Sequence, residues 1–157
     1  MVTITLVVVL PSHLVLVFLC CYVTRSLDRS HSQSGQDLHY IGLERSLQLL
    51  QSELEQLSST SCTTTSVSLL GFSQGAVLCH IVAALKEQHP SAWHAIQNCL
   101  LVGGFPATLS NNWYTEHKSS SLRLDNLTQL PSLHVMGIRD TSVPPHLSQK
   151  LAACFSN

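Results

Sequence analysis

Ser73 stands between Gly71-Phe72 and Gln74-Gly75, giving the spacing Gly-x-Ser-x-Gly. An apolar run, Val67 to Phe72, precedes it, and a helical pattern, Ala76 to Lys86, follows. A serine that is to attack a carbonyl must sit on a sharp strand-to-helix turn with its hydroxyl exposed. The flanking positions then tolerate no side chain that would meet the strand or the helix. In such a turn the amide of the next residue, here Gln74, points to where an oxyanion would form. A serine hydroxyl is a weak nucleophile until a base takes its proton, and that base is usually a histidine oriented by a carboxylate.

Asp140 lies beyond an apolar segment, Leu133 to Ile138, downstream of the serine. That position suits the acid in the chain order serine, acid, histidine, although an aspartate before Pro144-Pro145 also reads as a turn or helix cap. The histidine should follow Asp140. Only His146 does, within the first turn of a helix, where it would face solvent or point away from Ser73. His134 reads as a packed strand residue and His80 as a half-buried helix residue. A second oxyanion donor should come from a loop upstream of Gly71, and no His-Gly or Gly-Gly turn is found there.

The elements that must hold these residues alternate. Leu43, Leu47, Leu50, Leu54 and Leu57 recur at helical intervals from Tyr40 to Leu57, and a Ser/Thr-rich loop separates them from the Val67 to Phe72 strand. The helix after Ser73 buries Val77, Ile81, Val82 and Leu85 and ends before Pro90. Cys99 to Val102 reads as a strand leading into Gly103-Gly104-Phe105-Pro106, and a last helix starts at Pro144-Pro145 with Leu147, Leu151 and Phe155 on its apolar side. This alternation predicts an open α/β sheet with helices on both faces. In such sheets ligands bind at the carboxyl ends of the strands, the edge that carries Ser73 and Asp140.

The chain has 157 residues and a formal net charge of −1, so one domain with a true core is expected and no basic patch suggests nucleic acid. The six cysteines form no Cys-x-x-Cys pair, four lie in apolar segments, and the nine histidines are scattered. A reducing compartment, no metal and no cofactor are the expectation. Residues 1–24 contain no Asp, Glu, Lys or Arg. They admit three readings: two buried strands (Thr3 to Leu10 and Leu14 to Val23), a membrane anchor through residues 6–23, or a signal peptide. Residues 25–37 read as a polar linker and 38–157 as the chemistry-bearing domain.

From about Asp37 to Phe155 the sequence resembles the FSH family of serine hydrolases, which have an α/β-hydrolase fold. The resemblance rests on Tyr40-Ile41-Gly42-Leu43-Glu44 with Ser46-Leu47, Leu69 to Ala76, Leu100 to Phe105, and Pro131 to Gly137 continuing to Asp140, Val143-Pro144, Ser148 and Leu151. It implies a partial α/β-hydrolase fold with an open, mostly parallel sheet flanked by helices. It also implies Ser73 as nucleophile, Asp140 as triad acid and an acyl ester or thioester as substrate, in a cytoplasmic or nuclear protein. Family members begin with a strand and oxyanion-hole loop where this chain has its apolar leader and linker, and they end in a histidine-bearing segment beyond Phe155. The expectation is therefore a family member truncated at both ends, impaired for want of the histidine. The alternatives are a non-catalytic relic or interaction protein, with membrane contact only if the leader inserts. Acyl-protein thioesterases share Gly-Phe-Ser-Gln-Gly and an Asp-x-x-Val-Pro loop and form the rival family.

Overall fold

The computed structural model describes residues 42–60, 66–108, 124 and 127–156, together with the backbone of residues 4–9 and 14–20. The valine-rich leader favours extended chain, because β-branched side chains fit a pleated surface better than a helix. It forms β1 (Ile4–Val9) and β2 (Leu14–Cys20), antiparallel to each other. The described backbone agrees with the strand reading of the leader, and among the described residues no helix is long and apolar enough to cross a membrane. The expected linker, 25–37, lies outside the described residues.

The other elements are α1 (Leu43–Thr60), β3 (Ser66–Phe72), α2 (Gln74–Gln88), β4 (Ile96–Val102), β5 (Ser132–Val135) and α3 (Pro145–Ala152). The sheet has the order β1-β2-β3-β4-β5, and every pair after the first is parallel. Leu19 of β2 pairs with Gly71, so the leader supplies a strand directly beside the one that carries the serine. On β4 the register shifts at Gln97, leaving Gln97 and Asn98 both exposed before burial resumes at Cys99. That irregularity is why the sequence pattern showed a strand only from Cys99 onward.

Every α2 residue from Gly75 to Leu85 is buried. A helix with no exposed stripe must be covered on more than the sheet side. Leu43, Leu50 and Leu54 of α1, with Leu151 and the nearby Phe155, belong to the same core as α2. Completely burying one such leucine stabilises the fold by roughly 1.5–3 kcal/mol.

α2 and α3 pack on a single face of the sheet. A side chain at Gly104 would come within 2.5 Å of Ala76 Cβ on α2 and 2.6 Å of Leu151 Cδ2 on α3. On the opposite face the register aligns Leu70, Leu100 and Leu133 in one row and Phe72, Val102 and Val135 in the next. Phe72 is 56%, Leu133 63% and Val135 47% exposed. Leu70, in the first of these rows, is nonetheless buried, so among the described residues this face stands open only at Phe72, Leu133 and Val135.

Candidate active site

Ser73 joins β3 to α2 with φ 52° and ψ −112°, and among the described residues it alone combines a positive φ with a side chain. A non-glycine residue held there costs of the order of 1–3 kcal/mol and persists only where its surroundings fix it. Those surroundings are visible. The Ser73 N–H donates to the Val102 carbonyl at 2.8 Å, and the Ser73 carbonyl accepts from the Ala76 N–H at 3.0 Å. At Gly71 an added Cβ would lie 2.6 Å from the Gly75 carbonyl oxygen and 2.7 Å from Ala76 N and Cα, all of them backbone atoms. The first glycine of the motif is thus demanded by the approach of α2 to β3.

Ser73 is also the N-cap residue of α2, yet its side chain makes no capping hydrogen bond. Serines at that position normally spend their hydroxyl on the helix amides. Gln74 opens α2, at the end where the helix dipole favours developing negative charge.

Asp140 leaves the carboxyl end of β5 on a turn closed by its own N–H donating to the Gly137 carbonyl at 3.2 Å. Its Oδ1 accepts from the N–H groups of Ser142 at 2.8 Å and Val143 at 2.9 Å. The turn-cap reading of this residue is therefore realised. It engages Oδ1, whereas Oδ2 lies 3.6 Å from where a Cβ on Gly103 would be. Gly103 itself takes φ 57° and donates its N–H to the Val135 carbonyl at 2.9 Å.

Ser73 follows β3 and Asp140 follows β5, two strands apart on the same sheet edge. Two strand spacings amount to about 10 Å. An imidazole hydrogen-bonded on both sides bridges about 8 Å between oxygens. The edge has the width for one histidine ring between the two residues.

No described histidine fills that gap. His80 is 1% exposed rather than half-buried as expected, and its Nδ1 accepts from the Ala107 N–H at 3.1 Å. Burial, reinforced by nearby His134, lowers its pKa from 6.5 to about 4, so the ring is neutral with its proton on Nε2. His134 lies in β5 as expected: its Nε2 is 3.0 Å from Ser132 Oγ, and it meets the Phe155 ring edge-on at 5.1 Å. Burial lowers its pKa too. His146 is exposed on the first turn of α3. None of the described histidines is hydrogen-bonded to Ser73 or Asp140. Among the described residues no cluster of three or more His, Cys, Asp or Glu could hold a metal ion.

Sequence reasoning missed the tie between α3 and the glycine turn. Ser148 is 3% exposed and its hydroxyl donates to the Gly104 carbonyl at 2.8 Å. The sequence signals were the glycine pair, read as a turn rather than as a backbone gripped by two helices, and Ser148, read only as a match to the family pattern.

A serine with positive φ at a strand-to-helix turn, with an aspartate two strands along the same edge of a mostly parallel sheet, has the arrangement that the Gly-x-Ser-x-Gly pattern of α/β hydrolases requires. Comparison with known proteins agrees. Residues 24–157 match the family described as "Serine hydrolase (FSH1)". The chain is 32% identical over 116 residues to "Esterase OVCA2" of Danio rerio and 36% identical over 115 residues to "Esterase OVCA2" of Homo sapiens. Each alignment covers 73% of this chain, and 45% and 44% of the respective relative. "Esterase C25G4.2" of Caenorhabditis elegans is 33% identical over 87 residues, covering 55% of this chain and 36% of that protein. The chain belongs to the FSH1 serine hydrolase family, and it spans less than half the length of these relatives.

Proposed function

We propose that this chain acts as a serine esterase through Ser73, slowly, because no described histidine stands beside that serine. The observation that carries the reading is the elbow: Ser73 at φ 52°, pinned to Val102, with a hydroxyl that does not cap its helix. In the proposed reaction Ser73 Oγ attacks the carbonyl of an acyl ester or thioester. The Oγ proton passes to a base, the Gln74 amide takes the developing oxyanion, and the C–O or C–S bond to the leaving group breaks to leave an acyl-Ser73. Water then releases the acid. Asp140 would orient a histidine in the gap between the two residues. The names of the relatives as esterases support the class, and a thioester substrate remains the alternative through the shared Gly-Phe-Ser-Gln-Gly and Asp-x-x-Val-Pro segments.

With no described histidine on Ser73, what is left is oxyanion stabilisation and substrate binding, which in triad enzymes stripped of one member are worth about 10³–10⁴ over water. Purified chain given a p-nitrophenyl acyl ester should release close to one equivalent of nitrophenol, followed by very slow turnover, and Ser73→Ala should abolish both phases. Rapid sustained turnover would show that a base is in place. A second reading, a hydrolase core retained without catalysis, draws on the same histidine geometry. No release at all from a chain that melts cooperatively would favour it.

A further inference from the structure

We propose that Ser148, on the first turn of α3, is a positioning residue for Asp140, acting through the Val102-Gly103-Gly104 turn. The proposal rests on reading Asp140 as the triad acid.

Each residue of that tripeptide holds a different part of the site. Val102 accepts the Ser73 N–H, Gly103 donates to Val135 and neighbours Asp140, whose Oδ2 would lie 3.6 Å from a Cβ placed on it, and Gly104 accepts the buried Ser148 hydroxyl. Gly104 is also wedged between Ala76, three residues past the serine, and Leu151, three residues past Ser148. Residues three apart on a helix share a face, so Ser148 and Leu151 grip the same peptide, one by a hydrogen bond and one by contact.

The route back to Asp140 is short. Asp140 Oδ1 accepts from Ser142 and Val143, Val143 is 6% exposed, and α3 begins two residues later. Hydrogen bonds and chain connectivity thus run from Asp140 through Val143 and α3 to Ser148 and Gly104, and Gly103 returns beside Asp140. A buried carbonyl that loses its donor pays for desolvation without return, so removing the hydroxyl loosens Gly104 first and Gly103 next. The hydroxyl therefore sets how firmly the carboxylate is held against the edge that carries Ser73.

The test uses the full chain with Ser148→Ala and Ser148→Thr, and reads amide hydrogen exchange. Val67, whose N–H donates to the Ala95 carbonyl at the opposite end of β3, is the internal control. Ser148→Ala should speed exchange at Gly103 and Val143 about tenfold more than at Val67, the scale of one lost hydrogen bond, and Ser148→Thr should restore it. If alanine prevents folding, Ser148→Cys, which keeps size and a weak donor, should give a smaller effect of the same pattern. Equal acceleration at all three amides, or none, would overturn the proposal. On the chemical side, Ser148→Ala should leave fluorophosphonate labelling of Ser73 unchanged, since no described histidine links Ser73 to Asp140; slowed labelling would mean that the effect runs through the Ser73 turn and would overturn the proposal. Should the unmodified chain fail to label, the esterase reading falls, while the exchange pattern still decides the positioning role.

Discussion

Acidification should destabilise this fold through His80, and the size of the effect follows from where the ring sits. The ring is 1% exposed, with Nδ1 accepting from the Ala107 N–H just past the glycine turn. Protonating Nδ1 would set two donors against each other inside the core. In the unfolded chain the imidazole titrates near 6.5, and in the folded protein it is held at about 4, by burial first and by His134 second. A base whose folded pKa is depressed contributes fully above its unfolded value, and the contribution is lost as the pH falls from 6.5 through 4. The interval corresponds to about 3 kcal/mol, a large share of the 5–15 kcal/mol typical of a domain. Urea unfolding followed by circular dichroism between pH 7.5 and 4.5 should show the midpoint falling by about 1–2 M. His80→Asn keeps an acceptor near the Nδ1 position but does not titrate, and subtracting its profile removes what other groups contribute. Equal slopes for the two proteins, or a flat midpoint for the unmodified chain across this range, would refute the reasoning.

Other consequences follow from the packing. Gly71→Ala forces a methyl onto backbone atoms of Gly75 and Ala76 and should cost more than Gly104→Ala, whose methyl meets only the side-chain atoms of Ala76 and Leu151 at that range. The Gly104 change should cost about 1–3 kcal/mol by urea midpoint. Lysines at Leu133 and Val135 should reduce self-association in sedimentation velocity with little change in melting temperature, since both side chains are already exposed on the uncovered face. Burial pushes the Cys99 thiol up to about 12, so iodoacetamide should modify half-buried Cys154 in the folded protein and reach Cys99 only after unfolding, as read by peptide mass spectrometry.

Local chemistry made the elements legible. The leucine spacing from Tyr40 to Leu57 marks α1, observed at Leu43–Thr60, and the run to Phe72 marks β3, observed at Ser66–Phe72. The start of β4 was hidden because Gln97 and Asn98, at the register shift, break the alternation that signals a strand. The leader's preference for strand could be read from its valines, but not its place beside β3, because sheet order is set by contacts distant in sequence. His80 was read as half-buried because one apolar stripe was assumed for α2, whereas that helix is covered on all sides. At the site, Ser73 and Asp140 were marked by spacing and by the elements around them. Ser148 stood out only as a match to the family pattern; its role carried no signal, since a serine that donates to a carbonyl 44 residues away looks like any other polar helix residue.

The central proposal is that Ser73 is a positioned nucleophile with no base beside it among the described residues. Intact-mass measurement after incubation with a fluorophosphonate tests it most directly. The prediction is a single adduct, formed slowly, mapping to Ser73, absent in Ser73→Ala and accelerated by added imidazole. No adduct at Ser73 in a folded chain, or one that persists after Ser73→Ala, would contradict the account.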